Sequence, residues 1–225
     1  MAENICWITL THGRKEIFSN SRTSWYENLK GNIVKEIIID DSGDLTYFDW
    51  LQATYKNAKV VKVGYKQMGF TEAMDKSFSE AVKSGCDFIF HLEEDFTLLT
   101  EVDLDVLVNL LKENSVLSQI ILKRNPVFEH EIKAGDVLNS FETIGVETLN
   151  GIEITKQNVY WSTNPSLYPI QTARIGWVNA ENSENRFSEK IFQRGFVSAY
   201  LGTSQDENIC YHPIDEDSLK TGIGY

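Results

Sequence analysis

The chain has 225 residues, 42% of them apolar and 12% aromatic, and carries a formal net charge of −12. This length and composition suit one globular domain with a substantial core, and they exclude a disordered chain. The acidic balance argues against broad, non-specific nucleic-acid binding, because phosphates would be repelled.

In chain order, ICWITL (5–10) is a short apolar run leading into Thr11-His12-Gly13-Arg14, a buried strand feeding a loop. RTSWYENLKG (22–31) reads as a helix closed by Gly31. VKEIIID (34–40) is a second strand, ending in the turn-forming cluster Asp40-Asp41-Ser42-Gly43-Asp44. AKVVKVG (58–64) is a third. Residues 69–85 place Ala73, Phe78, Ala81 and Val82 at helical spacing, with Gly85 after the end. CDFIFHL (86–92) is the next strand, and Glu93, Glu94 and Asp95 follow at once. VDLDVLVNLLKEN (102–114) is a strong helix. Alternation of strands and helices implies a mostly parallel sheet with helices on both faces, in which ligands bind at the carboxyl ends of strands. THGR, DDSGD and EED all fall at such ends.

After about residue 120 the periodicity weakens, and irregular structure is expected over the first half's sheet. Within it, SENRFSEKIFQRGF (183–196) returns to a helical pattern ending near Gly195, and two short strands follow. Cys6, Cys86 and Cys210 are odd in number and lack CxxC spacing, so reduced, buried thiols of a cytoplasmic protein are expected. The opening residues lack a signal-peptide pattern. No apolar run approaches the roughly 18 residues of a membrane span.

Like charges held together cost free energy unless a cation or hydrogen-bond donors compensate. Single acids at a strand end commonly cap a helix or face solvent. Three in a row, converging with Asp40 and Asp41, point to Mg²⁺ or Mn²⁺ bound by one or two carboxylates and by substrate phosphates. There is no P-loop and no GxGxxG.

In that order and spacing the segments resemble the glycosyltransferases of the GT-A fold, particularly family 2-like ones. ITLTHGR resembles their first strand and nucleotide loop, and IIIDDSGD their "DDGSxD" segment. HLEEDF resembles their DxD-type metal motif, and SENRFSEKIFQRGF the segment that carries the catalytic base of inverting members. The resemblance runs from residue 5 to about 215. It extends to bacteriophage-encoded enzymes through HLEEDF, QIILKRNP with a following Glu, TNPSLYP, and a late His before a terminal G-x-G-Y. Some of those enzymes glycosylate modified pyrimidines in DNA.

The resemblance implies an α/β GT-A domain over residues 1–225. Residues 1 to about 115 would form the nucleotide-sugar half, and about 116–225 the acceptor half. It implies a nucleoside diphosphate sugar as donor, UDP favoured, with Mn²⁺ or Mg²⁺. Thr11, Arg14, Asp40, Asp41 and Glu93 would bind the donor, with Asp41 accepting from the base and Arg14 pairing with phosphate. Asp95 and His212 would hold the metal, and Glu184 would be the general base. The "ED" pair of the family is Glu184-Asn185 here, which leaves Glu181, Glu184 and Glu189 open as bases. Glu184 is equally a first-turn residue favoured by the helix dipole.

If the strand runs through the acidic triplet, pleat alternation puts Glu93 and Asp95 on one face and turns Glu94 away as a bystander. His91 reads as structural and His12 as a donor contact. Trp25, Trp161, Tyr168 and Trp177 are divided between core and sugar stacking. Lys123, Arg124 and Arg174 are solvated cations or phosphate contacts. Two other readings use the same residues: a nucleotidyltransferase acting on a sugar phosphate, and a non-catalytic nucleotide-sugar-binding module.

Overall fold

The computed structural model describes residues 3–125, 143–203 and 206–212. Its first half alternates as the sequence predicts: β1 (Ile5–Thr11), α1 (Lys15–Asn28), β2 (Leu29–Lys30), β3 (Ile33–Asp40), α2 (Leu45–Thr54), β4 (Lys59–Lys62), α3 (Phe70–Ser84) and β5 (Phe88–Glu93). β6 (Thr97–Leu98), β7 (Val102–Asp103), α4 (Leu104–Glu113), β8 (Leu117–Ile121) and β9 (Arg124–Asn125) follow. The later elements are β10 (Thr143–Leu149), β11 (Ile152–Gln157), β12 (Ser166–Pro169), α5 (Ile170–Arg174), α6 (Ser183–Phe192), β13 (Val197–Leu201) and β14 (Cys210–Tyr211).

Nine strands form one sheet in the order β10-β11-β13-β8-β12-β5-β1-β3-β4. Only β11 and β12 run against the other seven. The sheet carries helices on both faces because its central strands are apolar on both. Along β1, Ile5 and Trp7 join the core that includes Trp25 and the α4 leucines, whereas Cys6, Ile8 and Leu10 join the core under α3 and α6.

Several details depart from the sequence reading. The first helix starts at Lys15 and ends at Asn28, so Gly31 lies beyond it, after β2. α2 has no counterpart among the predicted elements. It starts where the Asp44 side chain caps the Thr46 and Tyr47 amides at 2.7 and 3.4 Å. α3 keeps its predicted bounds, closed by left-handed Gly85.

The largest departure is in the second half. It supplies β8 and β10–β13 to the same sheet instead of lying over it. β10 and β11 form a hairpin across Asn150-Gly151, both at positive φ (52° and 80°), as a two-residue hairpin turn requires. The Glu that follows QIILKRNP and the terminal G-x-G-Y lie outside the described residues.

Trp25, Trp161, Tyr168 and Trp177 are all buried, so the core reading of these aromatics holds. Phe78 stands at the centre of the second core, with ring centroids 5.2–5.9 Å from Trp161, Tyr168, Trp177 and Phe187. Truncating a buried ring costs its transfer free energy and leaves a cavity. Phe78→Ala is expected to lower unfolding free energy by about 3–5 kcal/mol with an unchanged urea m-value, as read from equilibrium denaturation.

Candidate active site at the strand ends

Parallel pairing aligns the carboxyl ends of the strands, because Thr11 of β1 pairs with Asp40 of β3, and Leu10 with Glu93 of β5. The three predicted clusters therefore meet at one edge. β12 is antiparallel, so its first residue, Ser166, lies opposite His91 near the same end of β5. The segment before β12 is thereby brought to the acidic edge, and Thr163 with it.

At the end of β3 the two aspartates hold loops. Asp40 accepts from the Ser42 amide at 2.9 Å, and its other oxygen is buried without a partner among the described residues. Asp41 accepts from the amides of Met68 (2.8 Å) and Gly69 (2.7 Å), one on each oxygen. Burial raises the pKa of both from the ordinary aspartate value. Gly43, at φ 69°, lets the 66–67 backbone approach: a Cβ there would lie 2.6 Å from Lys66 and Gln67 main-chain atoms.

The acidic triplet does not continue the pleat. β5 stops at Glu93, and Glu94 and Asp95 lie in the turn that follows. Glu94 is therefore not turned away, which corrects the expectation of a bystander. It is fully buried and faces the loop after β1. Its Oε2 accepts from the Thr11 hydroxyl. Its Oε1 meets Arg14 Nε at 2.7 Å and His12 Nδ1 at 2.9 Å. A hydroxyl has one proton. With Thr11 donating to Glu94, the Tyr47 hydroxyl must donate to Thr11 at 2.6 Å. Thr11, expected to line the donor pocket, is thus buried and engaged on both sides.

Asp95 lies between the Arg14 and His212 side chains. Arg14 Nη2 donates to its Oδ2 at 2.6 Å, and His212 Nε2 lies 3.4 Å from the same atom. Burial opposes its ionisation, but His212 and Arg14 hold Asp95 well below the ordinary carboxylate range. Its Oδ1 is buried and has no hydrogen-bond partner among the described residues.

Glu93 behaves oppositely. Burial, with Asp95 and Glu184 nearby, pushes its carboxyl up to about 8, and the Thr163 hydroxyl offsets part of that. Glu184 stands in the first turn of α6, after Asn182 at the N-cap position, where the dipole favours an acid. Its Oε1 accepts from Thr163 N (3.0 Å) and Thr163 Oγ1 (3.3 Å). Glu181 and Glu189 are exposed, and Glu189 pairs with Arg186 at 3.3 Å.

The structure therefore brings Thr11, Arg14, Glu93, Asp95, Glu184 and His212 to one region, and adds Glu94, Tyr47 and Thr163. Lys123 and Arg124 are buried rather than solvated. Lys123 Nζ donates to the carbonyls of Thr203 (3.0 Å) and Asp206, and Arg124 Nε to Asn164 Oδ1 (3.2 Å). His91 is buried within β5, where burial lowers its pKa to about 3 and keeps it neutral. The three cysteines are free and buried, and among the described residues no helix is long and apolar enough to cross a membrane.

By sequence the chain matches no family model and no curated protein. By structure it is similar to the mannosyltransferase PcManGT from Pyrobaculum calidifontis, solved in complex with GDP-Man and Mn²⁺. The TM-score is 0.61 at 10% identity, over 96% of this chain and 58% of that one. The fold is GT-A. A second GT-A structure, S. aureus TarS 1–349, gives TM-score 0.61 at 15% identity, over 93% of this chain and 60% of that one. The chain thus spans about three-fifths of the length of either GT-A structure.

The raised Glu93 pKa has a stability consequence with a defined sign. Between the ordinary glutamate value of 4.5 and about 8 the unfolded chain is ionised while the folded one keeps its proton. Stability contributed by this group is therefore lost as pH rises through that window. Asp95, shifted the other way, acts only in more acidic solution. Glu93→Gln is expected to raise Tm more at pH 8.5 than at pH 5; an equal change at both would refute the shift.

Proposed function

We infer that this protein is a metal-dependent glycosyltransferase, moving a sugar from a nucleoside diphosphate sugar to an acceptor hydroxyl with inversion. The observation that carries this reading is the division of one strand-end site into two electrostatic halves. Arg14, His212 and Asp95 form a charged half. Glu184, braced by Thr163, stands across Glu93 from it. A GT-A fold places a nucleotide at that edge, and the charged half suits a diphosphate.

The donor set fits a divalent cation. Asp95 offers a buried oxygen with no hydrogen-bond partner among the described residues, and His212 an imidazole close by. The described residues contain no group of three or more His, Cys, Asp or Glu arranged for a metal. A two-residue set completed by diphosphate oxygens is what Mg²⁺ and Mn²⁺ accept. When bound, such an ion supplies Lewis-acid stabilisation of the leaving diphosphate.

The protein's own groups do the rest. Arg14 turns its fork toward phosphate oxygens. Asp40 and Asp41 hold the loops that floor the nucleoside pocket, leaving Asp41 at the position where a uracil imide would meet an acceptor. Thr163 holds one oxygen of the Glu184 carboxylate through its amide and its hydroxyl. Glu184 takes the acceptor proton as its oxygen attacks the anomeric carbon and the bond to diphosphate breaks. Direct displacement from the opposite side inverts that carbon.

For the acceptor, the pattern shared with phage-encoded enzymes favours a hydroxymethylated pyrimidine in DNA over a saccharide. The net charge of −12 weighs against a polyanion.

A thermal-shift screen of UDP-, GDP- and dTDP-sugars with Mn²⁺ is expected to give a metal-dependent rise in Tm. Mass spectrometry of hydroxymethylated DNA and of saccharide acceptors then identifies the product. Asp95→Asn should abolish metal-dependent turnover. Glu184→Gln should lower kcat by about 10²–10⁴ while donor binding persists. Full activity in Asp95→Asn would sink the reading. Pyrophosphate release from a nucleoside triphosphate and a sugar phosphate would replace it with a nucleotidyltransferase. Tight donor binding without transfer or hydrolysis would make the protein a binding module.

A further inference from the structure

Glu94 is not a predicted site residue, yet it organises more of the site than any residue that is. Three of the four residues that leave β1, Thr11, His12 and Arg14, reach its carboxylate. Successive side chains of a strand point to opposite faces, so adjacent Thr11 and His12 can share a partner only where the strand has ended. Gly13, at φ 111°, makes the reversal that also returns Arg14 to Glu94; a Cβ there would lie 3.1 Å from the Ser42 Cβ.

Arg14 is consequently held by two carboxylates at once. Nε lies on Glu94 at 2.7 Å and Nη2 on Asp95 at 2.6 Å. Two bonds from one rigid, planar group fix its orientation as well as its position. A buried ion pair is poor evidence of stabilisation, because apolar residues of the same volume commonly serve as well. The expense is understandable if Arg14 must stand ready at one place.

We propose that Glu94 is a positioning residue for donor binding: it holds Arg14 through Nε so that the outer edge of the guanidinium is presented to a nucleoside diphosphate at Asp95. This rests on the glycosyltransferase reading. Diphosphate replaces Asp95 as the partner of Nη2, while Glu94 keeps Nε and the loop in place. Thr11, anchored by the Tyr47 hydroxyl of α2 at 2.6 Å, ties the same carboxylate to the rest of the nucleotide half.

The test is calorimetric titration of the full chain with UDP and with GDP, in the presence of Mn²⁺, for wild type, Glu94→Gln, Arg14→Ala and the double variant. Glu94→Gln is expected to weaken the tighter-binding nucleotide by about ten- to a hundredfold. The double variant should bind about as Arg14→Ala does, because Glu94 acts through Arg14. In turnover assays the donor KM should rise and the acceptor KM stay unchanged. Undiminished affinity in Glu94→Gln, or losses that add in the double variant, would overturn the proposal.

Should Glu94→Gln fail to fold, Arg14→Lys carries the question. It keeps the charge but lacks the rigid planar fork that is held at one nitrogen while another is presented, so a comparable loss is expected, and wild-type affinity would overturn the proposal. Wild-type protein that binds neither nucleotide removes the glycosyltransferase reading and this one together. Wild-type binding and turnover with unaffected variants removes the positioning role alone.

Discussion

Six carboxylates, Asp40, Asp41, Glu93, Glu94, Asp95 and Glu184, are gathered at one edge of the sheet, and the rest of the site follows from how that charge is held. Each is compensated differently. Backbone amides hold one oxygen of Asp40 and both of Asp41. Arg14 and His12 meet Glu94, and Arg14 and His212 meet Asp95. Among the described residues no cation is bonded to Glu93, and its surroundings favour the neutral form instead. Glu93 and Asp95, two residues apart, are thus shifted in opposite directions. Such separation is characteristic of sites where one group binds charge and another manages protons.

The architecture makes this possible by joining both halves of the chain in one sheet. β12 enters antiparallel between β5 and β8, and the segment before it passes directly beside the acidic edge. Thr163 can therefore bond to Glu184 of α6 while lying near Glu93 of β5. A second half laid loosely over a finished first half would not fix Glu184 against the β5 edge through a hydrogen-bonded neighbour. The latch from Lys123 to the Thr203 and Asp206 carbonyls has a related effect. It ties the end of β8 to the segment before β14, which is followed by His212.

Much of this was legible in the sequence. Apolar runs ending in polar clusters placed β1, β3 and β5 and their shared edge, because parallel pairing follows from alternation with helices. The bounds of α3 followed from its apolar period and Gly85, and α6 began where expected. The two strands after α6 were expected, but β8 and β10–β12 were missed, although the β10–β11 pair had a plain signal: Asn150-Gly151 between alternating apolar and polar residues is a hairpin turn. The direction of Glu94 was misjudged for a different reason. Alternation is a rule within a strand, and where β5 stops is decided by the partner at Leu10 and the loop beyond it, not by the triplet itself. The burial of Lys123 and Arg124 likewise depends on segments far along the chain, so no local pattern announces it.

The central claim is that the β5 strand end is a donor site, with Asp95 on a metal and Arg14 on a diphosphate. The most direct measurement is anomalous diffraction from crystals of the protein soaked with Mn²⁺ and UDP or GDP. The account predicts a manganese peak at coordinating distance from Asp95 and His212, with diphosphate oxygens on the same ion and on the Arg14 guanidinium. Nucleotide bound away from the carboxyl ends of β1, β3 and β5, or bound there with Arg14 still paired to Asp95 and no manganese between protein and diphosphate, would contradict it.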